Sequence, residues 1–269
     1  MVFTEWSTNE LLTFFMVLVR MSVLLAVLPF FGDKIIPGPV KILLSIAMSV
    51  VFFPILRENG SIHINDAAVW GASFGTLLGT VVLEILVALV IGFTAQLMFQ
   101  TVAIAGDIIG QLMGLSSASI YDPHTESQTV VLGQVLTTLG MLAFLSINGH
   151  HMLIRAIVEC YREVGIGAFA IQDTFKAELL RMTGNTIGFG FQLAAPVTVA
   201  MLLINIIYGI LAKALPQLNI LTLSMAASMF VGLFVIAMSY PAIHTGMIGI
   251  FDGVFDDLRG VLHTLRKGA

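Results

Sequence analysis

The sequence predicts an all-α, polytopic membrane protein, and three observations carry that reading. Hydrophobic residues make up 58% of the 269 residues and charged residues 10%, with a mean hydropathy of +0.99. A soluble domain carries about 25% charged residues, so this chain has too little charge to coat a globule. Apolar segments long enough to span, at about 20 residues for the hydrocarbon core, recur along it between short runs rich in glycine, proline and charge. The net charge of −4 comes with no basic stripe to pair with phosphates, which excludes a nucleic-acid partner. Cys160 is the only cysteine, so neither an internal disulfide nor a cysteine metal cage can form.

The first ten residues hold no lysine or arginine, so they lack the basic start of a secretory peptide. Ser7 and Glu10 have capping-box spacing and predict a helix start. Residues 11–31 form the first apolar segment, with Arg20 near its middle. A central arginine costs about 2.5–3.5 kcal/mol on insertion scales and should face protein or water. Pro29, Gly32-Asp33-Lys34 and Pro37-Gly38-Pro39 predict a tight connection, followed by a second apolar segment at 40–56. Residues 59–66 are polar. Residues 67–109 then run apolar without proline, twice the length of a simple span. Either this is two spans with a break near Gly92, or one helix projecting beyond the bilayer. Glu84 lies within it and should also face inward. Arg20 and Glu84 are candidates to pair, the alternative being that both sit near water and never meet.

The central stretch, residues 105–125, interrupts the apolar pattern. Gly106, Gly110 and Gly114 recur every four residues, a smooth helical strip that permits close approach of another helix. Ser116-Ser117-Ala118-Ser119 and Tyr121-Asp122-Pro123 follow and predict irregular backbone past Gly114. Such backbone survives at membrane depth only when buried in protein or lining a wet cavity. A loop held inside a helical assembly and an ordinary extramembrane turn both satisfy that rule.

Residues 130–147 form another apolar segment, closed by Asn148-Gly149-His150-His151. Residues 151–161 and 173–181 carry charge every few positions and predict interfacial or extramembrane helices. Residues 185–215 are apolar, with Pro196, Asn205 and Lys213; Pro216-Gln217-Leu218-Asn219 turns the chain; residues 220–250 are apolar again, interrupted by Pro241. Phe251, Val254, Phe255, Leu258, Val261, Leu262 and Leu265 follow helical spacing opposite Asp252, Asp256, Asp257, Arg259, Arg266 and Lys267. That predicts a C-terminal amphipathic helix, for the membrane surface or a partner. With six spans, Arg57, Arg155, Arg162, Lys176, Arg181, Arg259, Arg266 and Lys267 would share one side, the cytoplasm by the positive-inside rule.

Enzyme signatures are absent. There is no H-E-x-x-H or phosphate-binding loop, and Gly114-Leu115-Ser116-Ser117-Ala118 lacks the closing glycine of a nucleophile elbow. His150 and His151 are adjacent, so on a helix they diverge by about 100° and suit one metal poorly. No cofactor is implied.

The motifs in their order resemble the FliR family of the flagellar type III export apparatus and its virulence-secretion counterparts. The resemblance rests on Arg20 with Pro29-Phe30, Ile36-Pro37 with Val40-Lys41, and Glu84 with Gly92. It continues through Ala105-Gly106, Gly110, Met113-Gly114-Leu115-Ser116, Asp122-Pro123, Phe144 with Asn148-Gly149-His150-His151, Pro196, and Leu215-Pro216-Gln217-Leu218-Asn219. Residues 160–164 and 222–225 depart from the family pattern and put local packing in question. The resemblance implies one integral-membrane export-gate domain over 1–269. It would comprise a first helical half at 1–125, a second at 126–250 and the amphipathic helix at 251–269. It implies long helical hairpins like a fused FliP-like and FliQ-like unit, partly raised out of the bilayer. The implied partners are FliP-like, FliQ-like and FlhB-like subunits, unfolded exported proteins and lipid, in the bacterial inner membrane at the flagellar basal body. A central loop acts as a plug, carried over here to Gly106, Gly110, Met113, Gly114, Leu115, Ser116, Ser117, Ile120, Tyr121, Asp122 and Pro123. Arg20 and Glu84 are assembly candidates, and Asn148, Gly149, His150, Pro216, Gln217 and Asn219 are turn or interface candidates. Two other classes remain: a secondary transporter with Arg20, Glu84 and Asn205 at a midplane site, and a structural scaffold.

Overall fold

A computed structural model describes residues 6–28, 36–114, 131–170, 173–215 and 220–265. Among them all regular structure is helical: α1 (Thr8–Val27), α2 (Gly38–Glu58), a 3-10 turn (Ile64–Asp66), α3 (Ala67–Trp70), α4 (Phe74–Leu112), α5 (Val131–Ser146), α6 (Gly149–Glu163), α7 (Asp173–Ala214) and α8 (Ile220–Thr264). Five of these helices are long and apolar enough to cross a membrane, and α5 with α6 can supply a sixth, broken span. The protein is therefore an all-α polytopic membrane protein.

Several local expectations hold for visible reasons. Ser7 and Glu10 close a reciprocal capping box at the start of α1, the Ser7 Oγ accepting from Glu10 N at 3.2 Å and Ser7 N donating to Glu10 Oε2 at 3.0 Å. The overlong segment has no break at Gly92. The chain breaks earlier, at residues 71–73, and α4 then runs unbroken for 39 residues. Gly92 is glycine for contact, since a Cβ there would lie 2.5 Å from Val27 Cγ1. Residues 173–181 are not a separate helix but the first turns of α7. Residues 251–264 likewise continue α8, which passes through Pro241 as α7 passes through Pro196. Prolines inside spanning helices are tolerated where neighbours re-satisfy the freed carbonyls.

The chain forms two compact units, one of Met1–Leu97, His150–Met182 and Val254–Ala269, the other of Met98–Gly149 and Thr183–Gly253. In the first, Met16, Val17, Met21 and Leu24 of α1 are fully buried, as are Val87 and Ala88 of α4. Met16, Ala67 and Trp70 share an apolar cluster with Leu12, Leu77, Val81 and Ile166. Trp6, Phe14 and Phe53 stack where α1 starts and α2 ends, beside an Arg57–Glu10 ion pair of 2.7 Å. The C-terminal amphipathic face is not offered to the membrane surface or to a partner. Leu258, Val261, Leu262 and Leu265 are buried in this unit, and Ala170 N donates to Leu265 O at 3.2 Å. Outside that face, Arg181 bonds Glu178 and Asp257, and Arg259 bonds Glu159.

The second unit is held by glycine. A Cβ on Gly106 of α4 would sit 2.5 Å from Gly133 Cα of α5, on Gly190 of α7 2.8 Å from Ile104 Cγ2, and on Gly232 of α8 2.6 Å from Met113 Sδ. Lipid tails are as apolar as the helices, so close backbone approach supplies the packing energy. Phe99, Phe144 and Phe251 fill the centre, with ring centroids 5.3 to 5.5 Å apart.

Because Gly106 meets backbone rather than a movable side chain, Gly106→Val should lower the melting temperature of the detergent-extracted protein, or prevent its accumulation. Gly79 has open space around its missing Cβ. Gly79→Ala should raise stability by about 0.5–1 kcal/mol, the helix-propensity difference.

Candidate functional site

The first unit contains one fully buried charge pair, and it is built from helices far apart in sequence. Arg20 sits on the buried stripe of α1 with Met16, Val17, Met21 and Leu24; Glu84 sits on that of α4 with Val87, Ala88 and Ile91. The structure brings the two together in a bidentate pair. Arg20 Nε donates to Glu84 Oε2 at 2.6 Å and Nη2 to Glu84 Oε1 at 3.0 Å, with both side chains fully buried.

The remaining capacity of both groups goes to the turn between α6 and α7. Arg20 Nη1 donates to Val164 O at 2.9 Å and to Cys160 Sγ at 3.5 Å, and Nη2 reaches Gly165 O at 3.4 Å. Five acceptors thus face the five N–H groups of the guanidinium, the two longest contacts being weak. Glu84 Oε1 also accepts from Gly167 N at 2.9 Å, and Gly167 has a left-handed φ of 71°. The Tyr161 ring lies 4.3 Å below the guanidinium carbon and its hydroxyl donates to Val17 O at 3.3 Å. Ion pairing, cation–π contact and capping of the α6 C-terminus therefore meet at one arginine.

Such a site organises helices. Both charges are spent on each other and on backbone, which leaves no open ligand position for a midplane transport site; Asn205 is exposed on α7. The residues missed by the sequence reading are Cys160, Tyr161, Gly165 and Gly167. Cys160 and Tyr161 lie where the chain departs from the family pattern, and both are fully buried against Arg20.

The other candidates fall as follows. Gly106 faces Gly133, Gly110 and Met113 are buried, and Gly114 follows the end of α4 with a φ of 78°. Leu115, Ser116, Ser117, Ile120, Tyr121, Asp122 and Pro123 lie outside the described residues, as do Pro216, Gln217 and Asn219. Asn148 takes the left-handed conformation, φ 57°, between α5 and α6. Gly149 lies beneath the Phe144 ring, where no Cβ fits. The N-G motif and Phe144 thus form one helix break. His150 Nδ1 is buried without a hydrogen-bond partner. The His150 and His151 ring centroids do not diverge but lie 4.2 Å apart, the ring planes tilted by 38°.

A profile of bacterial export proteins, family 1, matches residues 11–254. The chain belongs to that family. It is similar to the flagellar biosynthetic protein FliR of Escherichia coli, 29% identical over 94% of this chain and 93% of that one. The FliR of Pectobacterium carotovorum is 29% identical over 98% of each chain, and that of Bacillus subtilis 26% identical over 93% of this chain and 94% of its own.

In this export protein, removing one partner of the buried pair leaves the other charge stranded, at a cost of about 3–5 kcal/mol. Arg20→Gln and Glu84→Gln should each sharply reduce the folded protein recovered from membranes. The charge swap should restore only part of that loss, because an arginine at 84 no longer addresses the Val164 and Gly165 carbonyls. Fully additive losses in that double-mutant cycle would show that the two charges do not act together.

Proposed function

We propose that this chain is a membrane subunit of a flagellar type III protein export gate. It would form part of the path by which unfolded flagellar proteins cross the bacterial inner membrane at the basal body. Coverage carries the reading: relatives named flagellar biosynthetic protein FliR align over more than nine-tenths of both chains. The whole of this chain, rather than one module, is therefore alike. The helices add support, since α4, α7 and α8 are far longer than a bilayer requires and expose extended apolar faces. FliP-like and FliQ-like subunits would cover those faces, an FlhB-like subunit would contact the assembly, and lipid would surround it.

Two measurements test this. Deleting the gene should abolish export of flagellar proteins and swimming, and a plasmid copy should restore both. Solubilised in mild detergent beside its partners, the chain should be recovered in a heteromeric complex. Persistent export in the deletion strain would overturn the reading.

The plug is the finer part of the proposal and covers residues 106–123. Support comes from the serine- and glycine-rich composition and from the end of α4 at Leu112, followed by left-handed Gly114. Leu115→Ala with Ile120→Ala should let ions leak through an assembled gate while export continues. Gly110→Val should lower export without leakage. A trimmed variant that assembles and stays as ion-tight as the parent would make the stretch a connecting turn.

A further inference from the structure

Helices α7 and α8 are pinned to each other at two levels. In the first unit Arg181 Nη2 donates to Asp257 Oδ1 at 2.6 Å, and a Cβ on Gly260 would lie 3.3 Å from Glu178 Oε1. In the second unit a Cβ on Gly246 would lie 2.8 Å from Leu193 Cδ2. From Arg181 to Leu193 α7 advances 12 residues, while α8 falls back 11 from Asp257 to Gly246. The helices are therefore antiparallel in regular register, and the stretch between the pins is 182–192 on α7 and 247–256 on α8.

In that stretch both helices carry glycine without packing. Gly184 and Gly188 of α7 and Gly249 and Gly253 of α8 are exposed, and a Cβ on any of them would meet nothing within 4 Å. The other glycines of these helices are taken up by contact, Gly190 against Ile104 and Gly232 against Met113 as well as the two at the pins; Gly209, near the end of α7, is the exception. An interior glycine loosens a helix because it has more backbone freedom to lose than alanine. At these four positions no close contact offsets that cost. The opposite side of each helix is the packed one. Thr186 lies midway between the α7 glycines and Phe251 midway between those of α8, each about 160° round from its neighbours, and both are buried. Phe251 rests on Phe99 and Phe144.

The softness continues past the second pin. Pro196 and Pro241 each remove a ladder hydrogen bond, and Thr198 and Thr245 donate to the carbonyls of Ala194 and Pro241, a bond that bends helices. The chain also passes from one compact unit to the other in this stretch, after Met182 on α7 and after Gly253 on α8. We propose that residues 182–192 and 247–256 form a paired hinge that flexes when the gate opens, an assignment that rests on the export-gate function above. Two antiparallel helices that loosen at one level bend together and keep the contacts at either end. The buried Thr186 and Phe251 are the pivots, and the bare glycine faces supply the freedom.

The first test uses the detergent-extracted full chain with spin labels at Leu180→Cys and Leu202→Cys, exposed positions about 33 Å apart along a straight α7. Cys160 is buried and stays unlabelled. The parent should show a second, shorter distance beside that of the straight helix. Gly184→Ala with Gly188→Ala should reduce its share about five- to thirty-fold, the combined helix preference of two alanines. A single distance in both chains, or equal shares, would overturn the hinge. In cells, the same pair, and separately Gly249→Ala with Gly253→Ala, should slow flagellar protein export about five-fold or more while the complex with partners is recovered in parental amount. Gly79→Ala adds the same methyl group in open space on α4 and should leave export unchanged. Loss of the complex would make these glycines a contact for a partner helix. Straightened helices with parental export would leave the bend unused, and either result overturns the proposal. Export surviving deletion of the chain sinks the gate function itself, while the distance measurement still decides whether the hinge exists.

Discussion

Everything in the first unit depends on a charge pair that cannot be solvated. Arg20 and Glu84 are fully buried, and the geometry that makes this tolerable fixes three parts of the chain together. Each side chain holds the other, and each also holds the turn at residues 164–167, arginine through carbonyls and glutamate through the Gly167 N–H. A buried pair of this kind adds little net stability over a well-packed apolar substitute. Its value is specificity: α1, α4 and the α6–α7 connection have one relative register in which all these groups are satisfied, and a slipped register would strand a charge.

The second unit solves the same problem without charge. Its helices meet at Gly106, Gly133, Gly190 and Gly232, where the absence of a Cβ lets backbones and side chains approach to contact distance. Packing of this kind is specific by shape, most strictly at Gly106, which meets the Gly133 backbone, and at Gly190, which meets Ile104 and the Thr101 carbonyl. The two units therefore respond to different chemistry. Loss of a charge partner damages the first through desolvation, and a methyl group at Gly106 damages the second through overlap with backbone.

How much of this was legible in the sequence depends on whether the signal was local. The capping box at Ser7 and Glu10 is local and was readable. The inward-facing character of Arg20 and Glu84 followed from the cost of charge in lipid, but their meeting required a fold. Helix ends were misjudged wherever composition was taken for geometry. Charged residues at 173–181 read as a separate surface helix, yet nothing there stops a helix, and α7 runs straight through. Pro241 read as a break, though a proline in a spanning helix frees carbonyls that neighbours can satisfy. Cys160 and Tyr161 gave no signal at all, because a cysteine and a tyrosine in an amphipathic helix look like ordinary core until an arginine is found against them.

Helix length then constrains where lipid can be. A 30 Å hydrocarbon layer crossed at the upper end of observed tilts, about 40°, accommodates about 39 Å of helix, or about 26 residues. Helices α4, α7 and α8 have 39, 42 and 45 residues. Each must place more than a dozen residues outside lipid. In α7 and α8 the surplus is visible as charge, at Asp173, Lys176, Glu178 and Arg181 in one and at Asp252, Asp256, Asp257 and Arg259 in the other. Helix α4 has no such charged end, and its apolar exposed face, from Phe74 to Phe93, covers about 29 Å, one hydrocarbon thickness. Its surplus is the portion with Gln96, Gln100, Asp107 and Gln111. By length that portion needs no lipid, and its exposed positions Gln96, Gln100 and Gln111 are amides that hydrocarbon would not solvate.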